Sequence, residues 1–280
     1  MTDIRAAPHS ETRPPTPGYV EPIVTIRSVI KRFTVSGETS TALQAIDLAI
    51  APGEFVSLIG PSGCGKSTLL RIIGDLTAPS VGNVTVNGKP ARQARRDRDY
   101  GMVFQAPVLF DWRTIEQNVQ LPLEIIGVGR GERQRRATEM LALVELSDFA
   151  GHHPWQLSGG MQQRAAIARA LAFEPTLLLM DEPFGALDEM TRERMNDELL
   201  RIWERTGTTI VFVTHSIPEA VFLSSRIVVM SPRPGRITDL VEVDLRRPRT
   251  DATRESERYF ELITQVREAL RAPERRSVLR

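Results

Sequence analysis

From residue 23 onwards the chain alternates short apolar runs with longer stretches whose apolar positions recur at helical spacing. Residues 23–26 and 45–50 interleave apolar and polar positions, which predicts antiparallel strands at an edge. Residues 55–59 and 177–181 are near-continuously apolar, the pattern of strands buried on both faces. Further strands are predicted at 84–86, ending at the turn Asn87-Gly88, and at 100–104, 209–213 and 227–230. Helical spacing covers 67–76, 114–126, 132–146 and 190–206. Strands alternating with helices predict an α/β fold, with a mainly parallel sheet covered on both faces. No internal repeat is visible.

The ends read differently. Residues 1–22 carry five prolines (Pro8, Pro14, Pro15, Pro17 and Pro22) and little apolar material, as expected of a disordered leader. Across 253–271, Phe260, Ile263, Val266 and Leu270 fall on one helical face. Residues 246–280 hold ten arginines against six acids. That predicts a helical tail with a solvated basic face, or alternatively a contact for a partner or anionic lipid.

Composition narrows the class. Of the 280 residues 41% are hydrophobic and 25% charged, the balance of an ordinary globular protein. No apolar run approaches the ~18 residues of a membrane span, so a membrane role has to be borrowed from partners. Net charge of +1 gives no general pull toward nucleic acid. The single cysteine, Cys64, excludes an internal disulfide. Only Lys31, Lys66 and Lys89 supply lysine among 36 basic residues, which makes a lysine inside a motif hard to read as background.

One motif is complete. Gly60-Pro61-Ser62-Gly63-Cys64-Gly65-Lys66-Ser67, followed by Thr68, fits G-x-x-x-x-G-K-[ST] behind a predicted strand and ahead of a helix. Its glycines let backbone N–H groups approach phosphate oxygens. Lys66 is expected to neutralise β/γ oxygens and the Ser67 hydroxyl to ligate Mg²⁺. Cys64 fills a variable position, and its alkylation is expected to block nucleotide entry. The strand at 177–181 delivers two acids, Asp181 and Glu182, to the carboxyl edge of the sheet, where ligands of open α/β folds bind. Alone, two such acids could be a solvated turn. Beside the P-loop they predict a Mg²⁺-orienting carboxylate and a general base. A second anion cradle, Ser158-Gly159-Gly160, stands at the start of a predicted helix. One nucleotide needs only one cradle, so the second suggests two copies closing over shared ATP.

In order, these elements resemble the ATP-binding subunits of ABC transporters, over about residues 23–243. Leu157-Ser158-Gly159-Gly160-Met161-Gln162-Gln163-Arg164 is similar to the family signature, and 177–182 to its Walker B strand. The resemblance implies a P-loop NTPase core with an antiparallel β edge subdomain and an inserted α-helical subdomain at about 106–165. The whole domain would span 23–245, ahead of the tail at 246–280. It further implies that Gln105 is the Q-loop residue reaching Mg²⁺ or the lytic water, and His215 the switch histidine holding Glu182. Gly185-Ala186-Leu187-Asp188 corresponds to the interface-crossing D-loop. Phe33 matches the aromatic that stacks on adenine, with a core phenylalanine as the competing reading. Residues 106–112 match the groove for a permease helix, with core packing as the competitor.

Residues 151–156 lack the Gly-Glu-rich sequence of exporters, which favours an importer. Leu109-Phe110-Asp111-Trp112 and Met230-Ser231-Pro232-Arg233-Pro234-Gly235-Arg236-Ile237 resemble the nitrate/sulfonate/taurine importer group. The implied assembly is a homodimer of ATPases on integral permease subunits at the cytoplasmic face of the cell membrane, served indirectly by a periplasmic solute-binding protein. A soluble ABC ATPase of DNA repair or translation, and an ATP-binding regulator without turnover, are the alternative classes.

Overall fold

The computed structural model describes residues 21–35 and 37–278. The leader expected at 1–22 lies, apart from Glu21 and Pro22, outside the described residues. In chain order the elements are β1 (Val24–Val35), β2 (Glu38–Ile50), β3 (Phe55–Ile59), α1 (Lys66–Ile73), β4 (Val81–Val86), β5 (Lys89–Pro90), α2 (Ala91–Asp97) and β6 (Tyr100–Val103). They continue with α3 (Ile115–Ile125), α4 (Arg130–Leu143), α5 (Gly159–Leu171), β7 (Leu177–Asp181), α6 (Glu189–Thr206), β8 (Thr209–Val213) and α7 (Ile217–Leu223). Last come β9 (Arg226–Met230), β10 (Ile237–Glu242), α8 (Asp251–Arg254) and α9 (Glu257–Val278).

Among the described residues the strands form two sheets. One, β10-β9-β3-β8-β7-β6, is parallel except for the antiparallel edge β10; the other, β2-β1-β4-β5, is antiparallel. Side chains alternate across a strand, and both faces of the parallel sheet are buried. Val56, Leu58, Leu177, Leu179, Val211 and Val213 pack with α1, α2 and the antiparallel sheet. Phe55, Ile59, Leu178, Met180, Ile210 and Phe212 face the other way, into the layer of α3 to α7 and α9. Three layers result, with the carboxyl ends of β3, β7 and β8 at one edge.

The antiparallel strands are longer than their sequence pattern predicts. Register shifts near Ile26, Val29 and Lys31 break the two-residue alternation, and Ser28 takes a left-handed φ of 49°. The tail corrects a second expectation. Its apolar face is Tyr259, Leu262, Ile263 and Val266, whereas Phe260 is 57% exposed. The tail is docked into the main core, since Leu262 and Val266 share a cluster with Val221, Phe222 and Val243.

Arg249 anchors that docking. It is buried and donates from Nη1 to the carbonyl oxygens of Val221 (3.2 Å) and Phe222 (2.6 Å), while Arg247 donates to Leu223 O (3.0 Å). These are the carbonyls that α7 leaves unpaired at its negative end, a favourable seat for cations. Burial pulls the Arg249 pKa down to about 9. The Tyr259 hydroxyl donates to Pro218 O (3.1 Å), so the tail grips both ends of α7.

Candidate functional site

The strand β3 ends at Ile59 and α1 begins at Lys66, and the loop between them is shaped by what its glycines lack. A Cβ on Gly60 would stand 2.8 Å from Cys64 Sγ and 2.9 Å from Met230 O. Gly65 has a φ of 106°, and a Cβ there would meet Leu43 Cδ2 at 2.6 Å. The loop is therefore folded around space that only glycine leaves free, at the amino end of α1 where N–H groups lack helical partners.

Lys66 is buried and its ammonium donates to Gly60 O at 2.8 Å and Pro61 O at 3.3 Å, spanning the loop. Cys64 is buried and its thiol pKa is raised, chiefly by desolvation, so it is a poor nucleophile as it stands. The Ser67 hydroxyl donates to Asp181 Oδ1 at 2.6 Å across 114 residues of sequence. That pair offers two hard oxygens. A Mg²⁺ in a nucleotide enzyme takes only a few ligands from the protein, because phosphates and water complete its shell. The residues fit the ion.

At the end of β7, Glu182 adopts a left-handed φ of 47° and donates its N–H to Val213 O at 3.0 Å. A non-glycine residue in that region stores backbone strain, here beside the phosphate loop. His215, at the end of β8, places Nδ1 3.4 Å from Glu182 Oε2. Gln105 is close by, since a Cβ on Gly185 would meet Gln105 Nε2 at 3.3 Å and Glu182 Oε2 at 3.7 Å. Gln105, Glu182 with Gly185, and His215 are thus gathered from three segments.

A cavity of about 370 Å³ is lined by Phe33, Ala42, Ser62, Gly63, Gly65, Lys66, Ser67, Thr68, Glu182 and Arg233. Phe33 is 39% exposed and sits under the Lys31 ammonium, 4.8 Å from its ring centroid, so it is no core residue. A larger cavity, about 750 Å³, lies at the opposite end of the strands, around Pro52, Asn87, Pro175 and Gly207, and carries none of these groups.

Ser158 and Gly159 are exposed, and Ser158 caps α5 by accepting from Met161 N at 3.3 Å. Neither lines the P-loop cavity among the described residues. Residues 158–160 instead abut the start of α6 and the turn before it: a Cβ on Gly159 would meet Leu187 at 3.6 Å, and one on Gly160 would meet Thr191 at 3.2 Å. Asp188 caps α6 by accepting from Thr191 N at 3.0 Å, and that bond lowers its pKa. Sequence reasoning missed two links from α5. Gln163 donates to Phe104 O (3.0 Å), and Arg169 donates to Val108 O (2.7 Å) and Pro107 O (2.9 Å). They tie the signature helix to the segment carrying Gln105.

Beyond Gln105 the chain turns outward. The buried Asn118 holds the turn through Phe110 N (2.7 Å) and the carbonyls of Phe110, Arg113 and Thr114. Trp112 is 73% exposed on that turn and Trp155 is 64% exposed nearby, with His153 stacked on Trp155 at 4.4 Å and bonded to Asp111 O at 3.1 Å. Core packing does not account for Trp112. Two aromatic faces so exposed mark a contact surface.

Fold and site together define a P-loop ATPase whose signature segment stands apart from its own phosphate loop. The chain belongs to the ABC transporter family, whose sequence model matches residues 43–185, and it is an ATP-binding subunit with ATPase activity. It is 46% identical over 241 residues, 86% of this chain and 90% of the relative, to an uncharacterized ABC transporter ATP-binding protein of Methanocaldococcus jannaschii. It is 45% identical over 243 residues, 85% and 92% of the two chains, to the taurine import ATP-binding protein TauB of Rhizobium johnstonii. Among solved structures it is similar to the cassette MJ0796, dimeric in a post-hydrolysis state with ADP and Pi. There the TM-score is 0.69 and identity 38%, over 79% of this chain and 98% of that one.

Glu219 gives the site a pH signature. It is buried near His215, accepts from the Thr214 hydroxyl, and burial raises its pKa from 4.5 to about 6. Ionising it therefore costs the folded state. The cost is absent below pH 4.5, grows as pH rises through 6, and reaches about 2 kcal/mol. Melting temperatures of wild type and Glu219→Gln measured from pH 4.5 to 8 should show the balance shifting toward the variant as pH rises. A difference constant across that range would contradict the buried charge.

Proposed function

We propose that the chain is the ATP-hydrolysing subunit of a bacterial importer, dimerising around two ATP and energising uptake of a small anion such as a sulfonate, taurine or nitrate. It works through separate integral permease subunits as a peripheral protein on the cytoplasmic face of the membrane, and indirectly with a periplasmic solute-binding protein. The ATPase unit spans 23–245, with its helical part at about 106–165, and 246–280 is its C-terminal tail. The taurine import relative supports the solute class. Among the described residues no helix is long and apolar enough to cross a membrane, so the exposed Trp112–Trp155 surface is assigned to the permease.

The observation that carries the reading is the separation of the two anion cradles within one chain. In the dimer the partner's signature closes on this chain's P-loop. Phe33 stacks on the base, and the N–H groups of residues 62–68 with Lys66 hold the phosphates. When bound, Mg²⁺ neutralises charge on the phosphate oxygens, held by Ser67, Asp181 and Gln105. Glu182 takes a proton from water as the water oxygen bonds to the γ-phosphorus. The bond to the β–γ bridging oxygen breaks and ADP leaves with that electron pair. His215 keeps Glu182 oriented and donates to the γ-phosphate. Separated products no longer bridge the two chains, and the dimer opens.

Co-purification tests the assignment. The chain should fractionate with a membrane protein and be released when that partner is deleted, and Trp112→Glu should weaken the association. A chain that remains in the soluble fraction with every membrane partner present would refute the importer reading.

A further inference from the structure

The loop joining β9 to β10 does more than connect strands. Ser231 closes it on itself, exchanging backbone and side-chain bonds with Arg236 and Pro234. Gly235 then inserts as a bridge on β2, donating to Ala42 O and accepting from Gln44 N, both at 2.9 Å. A Cβ on Gly235 would stand 2.0 Å from Cys64 O, so the loop is pressed directly on the P-loop backbone.

This seating brings Arg233 into the wall of the nucleotide cavity. Its Nε donates to Thr41 O at 3.3 Å, and among the described residues its two terminal nitrogens have no partner and it makes no ion pair. The position of Thr41 on β2 locates the guanidinium along the nucleotide. Ser40, one residue before, pairs with Phe33 at the base end. Ala42 and Leu43, just after, lie against Gly65 at the phosphate end. Arg233 is therefore held between base and phosphates, where the sugar and its first phosphate must pass.

We propose that Arg233 is a nucleotide-binding residue whose guanidinium takes the sugar-proximal phosphate, the α-phosphate common to ATP and ADP. Guanidinium and phosphate match in geometry and charge, and Lys66 is already committed further along the chain of phosphates. The proposal rests on the nucleotide-site reading above and deepens it.

Fluorescent ATP and ADP analogues titrated onto wild type, Arg233→Ala and Arg233→Gln test it. Both variants should bind ATP and ADP more weakly, by the same factor of roughly tenfold. Glutamine preserves a donor for Thr41 O without the charge, so wild-type affinity in Arg233→Gln would show a merely structural role and overturn the proposal. Weakening confined to ATP would place the contact on the γ-phosphate and overturn it too. If wild type bound neither analogue, the nucleotide site itself would be refuted. Melting temperatures confirm that each variant is folded before its affinity is read.

Discussion

Replacing Glu182 by Gln lowers steady-state ATP turnover by roughly 10²–10⁴-fold, the range a positioned general base contributes. The change is isosteric and leaves the left-handed backbone at residue 182 and its N–H bond to Val213 O in place. Nucleotide affinity should hold or rise, because the carboxylate lines the same cavity as the P-loop and repels phosphate charge. ATP should then persist and the closed dimer accumulate. Phosphate release measured beside nucleotide titration separates the two effects. Unchanged turnover would remove Glu182 from the base role, and lost binding would make it a structural residue.

Ser158→Arg should abolish hydrolysis while each separate chain still binds ATP. Ser158 is exposed and does not line the cavity of its own chain, so in the proposed dimer its effect falls on the partner's nucleotide. The substitution also removes the cap on Met161 N, at a cost of about 1 kcal/mol to α5, too small to unfold the chain. In the proposed dimer, an arginine there would fill the space the γ-phosphate of the facing chain needs to approach the N–H groups of α5. Full activity in this variant would mean that the signature takes no part in the chemistry.

What the sequence made legible was what is local. The P-loop follows from glycine spacing, and β7 and β8 from unbroken apolar runs that the sheet buries on both faces. Bulges hid the length of β1 and β2, since each extra residue reverses the alternation that marks a strand. The short helix α7 is buried from Glu219 through Leu223 and shows no polar face to betray its period. In α9 the apolar spacing pointed to Phe260, whereas the structure buries Tyr259, whose hydroxyl meets Pro218 O across the interface. Phe33 was legible by order along the chain, but its exposure was not. Arg233 lay in a stretch the sequence marked only by resemblance, and nothing local placed it at the cavity, because the bond that sets it joins residues 192 positions apart. The same holds for Gln163 and Arg169, whose partners lie about sixty residues back.

Mixing two inactive variants tests the shared site most directly. Lys66→Ala disables a chain's own phosphate loop, and Ser158→Arg disables what that chain offers its partner. In a mixed pair the intact P-loop of the second faces the intact signature of the first, so one whole site is rebuilt. ATPase activity, absent from either variant alone, should return on mixing and grow with the fraction of mixed dimers. Activity that stays at background while mixed dimers demonstrably form would contradict the shared site.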